Sequence, residues 1–449
     1  MENANQNAEI HPREEANTLS TGNGNDDQHR ELVNSIKEMV ESLEPPSLNN
    51  SSCCIYKIPT GIRKLNMEAY TPEVISIGPF HHGSKRLETM EKLKLKYFKR
   101  FLQRIAFKVE ILVNEIKLHE ERVRGCYAES IKLNSDDFVK LILVDGSFII
   151  EFFYGLCSRG SQTAIHEDHI LIDPISWQTM ILDLQLLENQ LPLFVIEILF
   201  GLACARRFEY RTFTSLAIDL FQRIHSRKLP QNLQVDARHF ADLARTFLLP
   251  SSRKLVPRHE SNLARADHLY TASQLYQAGV KFKVSSSKCL LDLKFTNGTL
   301  EIPCIKLYNS TETRYRNVIA FEQCHYPFES HFTDYIVLLS FLINTPKDVD
   351  LLIRKGIIIN GFGSNNAVAS LLNNLGTNVV YDGRNSAYCG LFEDLNAFYE
   401  NPKHTWKATL KRDYFSTPWR IASTAAAGIL LLLTLIQTIC SIIQVVKMY

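Results

Sequence analysis

The sequence predicts a mainly α protein. It is one large helical domain with a small antiparallel β-hairpin, followed by a single C-terminal transmembrane helix. Three observations predict it. Apolar residues recur at helical spacing along most of the chain after Ile55. Asn297-Gly298 sits between two short apolar runs, a strong local hairpin signal. Ile421 to Val446 is a run of 26 residues without a charge.

Composition sets the outer limits. The chain has 449 residues, 45% hydrophobic and 22% charged, which suits a globular domain with a substantial core. Net charge is only +2, the remainder of 50 basic and 48 acidic residues. The charge is unevenly placed: residues 1–50 hold ten acids and three Lys or Arg, a balance of −7, which leaves +9 for the rest. That excess is spread along the chain rather than clustered, so no nucleic-acid surface is expected. The ten cysteines form no C-x-x-C pair and mostly adjoin apolar residues. They read as buried free thiols in a reducing compartment. The polar, acidic N-terminus is neither a secretory signal nor a transit peptide.

Four segments follow. Residues 1–50 are an acidic, largely disordered tail. Within it, Leu32, Ile36, Met39 and Leu43 mark a short amphipathic helix over Glu31–Leu43, stopped by Pro45-Pro46. Residues 55–415 are the globular helical domain, 421–446 the membrane span and 447–449 a short tail. In the domain, a long helix is expected from Leu87 into the 120s, with Leu87, Met90, Leu93, Tyr97, Phe101, Ile105, Val109, Leu112 and Ile116 on its apolar face. Its other face is basic, with nine Lys or Arg between Lys85 and Lys108 against Glu88 and Glu91, and reads as a solvated surface. Further helices are expected at about 135–157, 177–204, 211–226, 234–247, 271–279, 331–343 and 365–375. The hairpin runs from Cys289 to Leu307, with Leu291, Leu293 and Phe295 alternating before the turn and Leu300, Ile302 and Ile305 after it. Pro303 should confine the second strand to a sheet edge.

The span would measure about 39 Å as a helix, against about 30 Å for a hydrocarbon core. Thirteen of its residues are Leu, Ile or Val. Lys407, Lys411, Arg412 and Arg420 precede it and only Lys447 follows, so the preceding domain is expected in the cytosol. Trp406, Trp419 and Tyr449 are placed as interfacial anchors. Sequons at Asn49, Asn50, Asn297 and Asn309 would then stay unmodified.

No P-loop, dinucleotide fingerprint or nucleophile elbow occurs, so no cofactor is expected. Gly361-Phe362-Gly363-Ser364 reads as a turn opening a helix. His81-His82 follow Gly78-Pro79-Phe80. Adjacent histidines point apart, so a loop bonded to backbone is preferred over a base or metal ligand. His166-Glu167-Asp168-His169 lacks the H-E-x-x-H spacing of a zinc protease. Glu188, Asn189 and Gln190 interrupt an apolar run before Pro192. If buried they need partners, and Pro192 supplies a helix break. A structural role is preferred over Glu188 as an acid or base. Asp145-Gly146-Ser147, also inside an apolar run, is read the same way.

These segments resemble the plant family called domain of unknown function 247, also known as uncharacterised protein family 0481. The matching motifs include Tyr70-Thr71-Pro72, Ser76 to Gly83, Leu143 to Ile149, Leu187 to Pro192, Asn297 to Pro303 and Arg316 to Cys324, ending with Pro418-Trp419. Phe80 and Ser147 depart from the residues usual in the family. The resemblance implies a land-plant protein with a C-terminal membrane anchor, and no catalytic residues to carry over. Some members of that family are associated with reproductive recognition such as self-incompatibility. The expected role is therefore a membrane-anchored recognition module that meets an unidentified protein partner. The alternatives are a hydrolase-like enzyme with His81 or His82 meeting Glu188 in one pocket, and a purely structural tether.

Overall fold

The computed structural model describes residues 23–41, 52–105, 108–157, 174–204, 212–225, 227–230, 235–250, 267–414 and 417–448. Most of the acidic tail, the sequons at Asn49 and Asn50, the His166–His169 segment and Tyr449 lie outside them. The chain forms two units, Met1–Ser51 and Ser52–Tyr449. In the first, helix α1 runs Asn23–Glu41, starting well before the expected Glu31.

The second unit begins with a short helix α2 (Thr60–Arg63). The predicted long helix is broken into α3 (Glu88–Arg104) and α4 (Val109–Arg124). Ile105, buried, and Lys108 are both extended, with ψ of 147° and 152°. The apolar period continues across the break because both halves pack on one helix, α5 (Ser135–Cys157). An unbroken helix over both would be about 55 Å long, whereas α5 spans about 35 Å. α5 is apolar on nearly every face and buries Phe138, Ile142, Phe148, Ile149, Phe152 and Phe153. It is the axis of this half of the domain.

The predicted helix over 177–204 is likewise split, into α6 (Pro174–Asp183) and α7 (Leu193–Cys204). Glu188, Asn189 and Gln190 turn the chain between them, and Pro192 has no N–H with which to continue a helix. α7 packs on α5 so closely that a Cβ on Gly146 would stand 2.6 Å from Leu199 Cδ1. α8 (Phe213–His225) and α9 (Phe240–Leu248) add Phe213 and Phe240, whose rings lie 5.2 and 5.4 Å from that of Phe153.

After α10 (Ala272–Gln277) come β1 (Lys281–Ser285), β2 (Lys294–Thr296), β3 (Thr299–Pro303) and β4 (Ile305–Leu307). β2 and β3 form the predicted antiparallel hairpin. Asn297 and Gly298 hold φ of 51° and 71°, the left-handed pair that a two-residue turn of this hand demands. β1 then pairs parallel to β3, which makes β3 the middle strand rather than an edge. Pro303 is tolerated because it is the last residue of the strand.

α11 (Asn309–His325), α12 (His331–Leu342) and α13 (Pro346–Arg354) precede β5 (Ile358–Asn360), which pairs parallel to β4. Residues 361–364 turn into α14 (Asn365–Leu375), as expected of the Gly-rich segment. α15 (Cys389–Glu400) and α16 (Pro402–Tyr414) follow. α11 escaped the periodicity reading because Tyr315 to Glu322 are all buried, leaving no polar face to define a stripe. The last helix, α17, runs Pro418–Met448. Its stretch Pro418–Gln444 contains an 18-residue segment of mean hydropathy 2.3 with no buried residue, so it is long and apolar enough to cross a membrane.

Asp334 of α12 is buried and accepts the N–H of Ala387 at 2.9 Å. Burial pushes its carboxyl from 3.8 up to about 7. A raised carboxyl favours folding below its unfolded value, and that gain is lost as pH climbs to the folded one. The D334N chain should therefore gain stability relative to wild type as pH rises from about 4 to about 7 and show no further change above that. Urea midpoints in detergent across this range will measure it; a pH-independent difference would contradict it.

Candidate functional site

Residues Thr71 to Ser84 form neither helix nor strand, yet Ile75 to Gly78 are buried. Buried amides need partners, and here side chains supply them. The Asp183 carboxylate, at the end of α6, accepts the N–H groups of Glu73, Val74 and Ile75 at 2.7–2.9 Å. The Asn189 amide donates to the Ile75 carbonyl at 2.9 Å and accepts the Ile77 N–H at 2.7 Å. Bracketing one residue in this way is how a parallel strand pairs with its neighbour, so one side chain stands in for a missing strand. Asp145 accepts the Gly78 N–H at 2.8 Å, and Lys94 Nζ donates to the Ser76 carbonyl at 2.8 Å.

Lys94 and Asp145 are themselves an ion pair with no exposed side-chain surface on either partner. Glu91 joins them, 2.7 Å from Lys94 Nζ. Burial disfavours the ammonium, but Asp145 and Glu91 outweigh it and raise the lysine above its ordinary value. Lys94 thus departs from the solvated face expected of the basic run. Its neighbours Lys92, Lys96 and Lys99 are exposed.

The second half of the cluster is the turn from Glu188 to Pro192. Gln190 Nε2 donates to the carbonyls of Leu184 and Leu186 at 2.7 and 2.6 Å. Its Oε1 accepts the first amides of α9, from Phe240 at 2.9 Å and Ala241 at 3.3 Å. Gln190 therefore closes its own turn and satisfies the open start of another helix. Glu188 accepts the Ile58 N–H at 2.7 Å and pairs with Arg63. His81 Nε2 stands 3.4 Å from the same carboxylate, beyond good hydrogen-bond distance. Burial raises the Glu188 carboxyl, but His81, Arg63 and the Ile58 amide together hold it below the usual value. Asn317 of α11 ties the turn to the other half of the domain. It accepts from Leu187 N at 2.9 Å and donates to the Ala69 carbonyl at 2.7 Å.

The structure thus gathers Gly78, His81, Asp145, Glu188, Asn189 and Gln190 into one interior network. Pro79 is half-buried beside it, and Pro192 is buried where α7 begins. His82 is exposed and takes no part. His81 and Glu188 do meet, but the carboxylate is already held by a guanidinium and a backbone amide. Asn189 and Gln190 likewise spend both ends of their amides on backbone. The arrangement locks three segments together. Sequence reasoning missed Lys94, Asp183, Arg63 and Asn317. Only Asp183, a lone acid between Leu182 and Leu184, carried a local signal.

Two tests separate this network from ordinary packing. K94M leaves the buried Asp145 without its ion-pair partner and should cost about 3–5 kcal/mol; D145N leaves Lys94 paired with Glu91 alone and should cost less. The double variant should cost well under the sum, and additive urea midpoints would refute the pairing. Gly78 has φ +73° and a Cβ there would lie 2.4 Å from the Gln190 carbonyl oxygen, whereas Gly83, at φ +78°, has nothing within 4 Å. G83A should cost about 1–2 kcal/mol from its φ alone. G78A should cost several-fold more, and equal losses would show that the close approach is unimportant.

Comparison with known proteins places these residues in a wider set. A family model described as a plant protein of unknown function, DUF247, matches residues 55–433. UPF0481 protein At3g47200 of Arabidopsis thaliana is 29% identical over 439 residues, covering 92% of this chain and 90% of that protein. A second UPF0481 protein of the same plant, At3g02645, is 23% identical over 509 residues, covering 92% and 94%. No solved structure matches the chain. The match begins at Ile55, takes in the whole interior network and ends inside the apolar helix, so the chain belongs to DUF247, a plant protein family of unknown function.

Proposed function

We propose that this protein is a non-enzymatic recognition module, held on a membrane by α17 with its helical body in the cytosol. The observation that carries the reading is α17 itself: it holds an 18-residue segment of mean hydropathy 2.3 that no other described residue buries. Leu430 to Leu433 are each more than half exposed, which a soluble chain would not sustain. Basic residues precede this helix, and the positive-inside rule then favours a cytosolic body. The network around Asn189 supports the non-enzymatic part, since its polar groups are spent on backbone. The partner we infer is another protein, met in signalling, with reproductive recognition as the instance that the family resemblance suggests. Phe328 and Val380 are each 83% exposed, and such side chains commonly anchor protein contacts.

Topology is the test. A fluorescent reporter fused to Met1 is followed on the full chain and on a chain ending at Ser416, in sealed microsomes. The full chain should sediment with the membrane and lose its reporter to added protease without detergent; the shorter chain should be soluble. A protected reporter, or glycans on Asn297 or Asn309, would put the body on the other side and overturn the cytosolic reading. A full chain that stays soluble would overturn the anchor.

A further inference from the structure

We propose that the junction of α16 and α17 binds the headgroups of anionic phospholipids in the leaflet facing the helical body, an inference that rests on the membrane reading of α17. α16 is held against the body on one side only. A Cβ on Gly279 would lie 3.1 Å from Ala408 Cβ and 3.7 Å from the His404 carbonyl oxygen. The His404 ring stacks on Phe398 with centroids 4.0 Å apart. With His404 and Ala408 facing inward, Trp406 is 79% exposed and Leu410 52%, and Lys403 and Lys407 are exposed beside them. This is the face of an interfacial helix: an aromatic and an aliphatic residue one turn apart, flanked by ammonium groups.

Where α16 meets α17 there is a shallow groove of about 510 Å³, lined by Tyr414, Trp419, Arg420, Ser423 and Thr424. Its composition suits a phospholipid headgroup. A guanidinium takes phosphate oxygens in a two-point contact, and the Ser423 hydroxyl gives a further donor. Tyr and Trp rings settle at headgroup depth. Thr424 Oγ1 lies 2.7 Å from the Arg420 carbonyl one turn back in α17 and 3.3 Å from the Tyr414 carbonyl at the end of α16, so its one proton is spent where the two helices meet. Between residues 403 and 420 the sequence holds Lys403, Lys407, Lys411, Arg412 and Arg420 against Asp413 alone, a balance of +4. Clusters of basic residues immediately before a span are read as anionic-lipid sites. A soluble phosphate would meet the same charges; the aromatic rim and the apolar helix that continues from it favour the lipid.

The test uses the full chain reconstituted in phosphatidylcholine vesicles carrying a minor fraction of brominated phosphatidylserine or, separately, brominated phosphatidylcholine. The chain has three tryptophans, so W177F leaves Trp406 and Trp419 as the reporters of lipid contact. Quenching by the serine lipid should exceed that by the choline lipid about fivefold at low salt, the ratio one basic residue at an anionic surface supplies. High salt should remove the preference. R420Q, and independently K407Q, should lower it while quenching by the choline lipid persists. Equal quenching by the two lipids in the unmodified groove would overturn the headgroup site and leave the anchor standing. No quenching by either lipid would sink the anchor reading, and the site with it.

Discussion

From Ile75 to Gly78 the backbone crosses the protein interior with no strand or helix to receive its hydrogen bonds, and an unpaired buried amide costs about 1–3 kcal/mol. Asp183, Asn189, Asp145 and Lys94 meet that demand between them. These side chains come from α6, the turn after it, α5 and α3, so the condition is satisfied only when all four are in place. The buried ion pair of Lys94 and Asp145 is part of the same requirement. Burying such a pair is costly, and its return is that it fixes one geometry. Gly78 shows how tight that geometry is, because its missing Cβ is what lets the Gln190 carbonyl pass.

The polar motifs of this chain have partners within the fold. A Glu-Asn-Gln triplet inside an apolar run invites a catalytic reading, and His81 even approaches Glu188. Yet each polar end in the triplet has a backbone or ion-pair partner whose loss would destabilise the fold. Gln190 is the clearest case, since one amide closes a turn and also covers the first amides of α9. The C-terminal helix, by contrast, leaves its leucines uncovered.

The polar interior and the apolar tail place opposite demands on solvent. The body hides its charges in pairs, such as Arg245 with Glu322, whose carboxylate also takes the amides of Phe332 and Thr333. The tail exposes hydrocarbon from Ile429 to Ile443. α16 joins them, with one face against Gly279 and Phe398 and the other presenting Trp406 and lysines. Its position suits a segment that matches water to lipid.

Much of this was written in local pattern. The apolar run of α17, the Asn297-Gly298 turn and the helices α5, α8, α12 and α14 follow from periodicity, length and a left-handed turn, all short-range properties. The polar motifs were also visible as positions that an apolar run cannot contain without partners. What local pattern could not supply was the partners. The stripe over Leu87 to Ile116 is continuous, and only the finite length of α5 breaks it at Ile105. Lys94 reads as one more surface lysine until α5 brings Asp145 to it across 51 residues of sequence. Asn189 and Ile77 are 112 residues apart, and α11 has no polar face to announce it because the fold buries it on nearly every side. Pairings at that separation are decided by which elements pack together, and that is a property of the whole chain rather than of any segment.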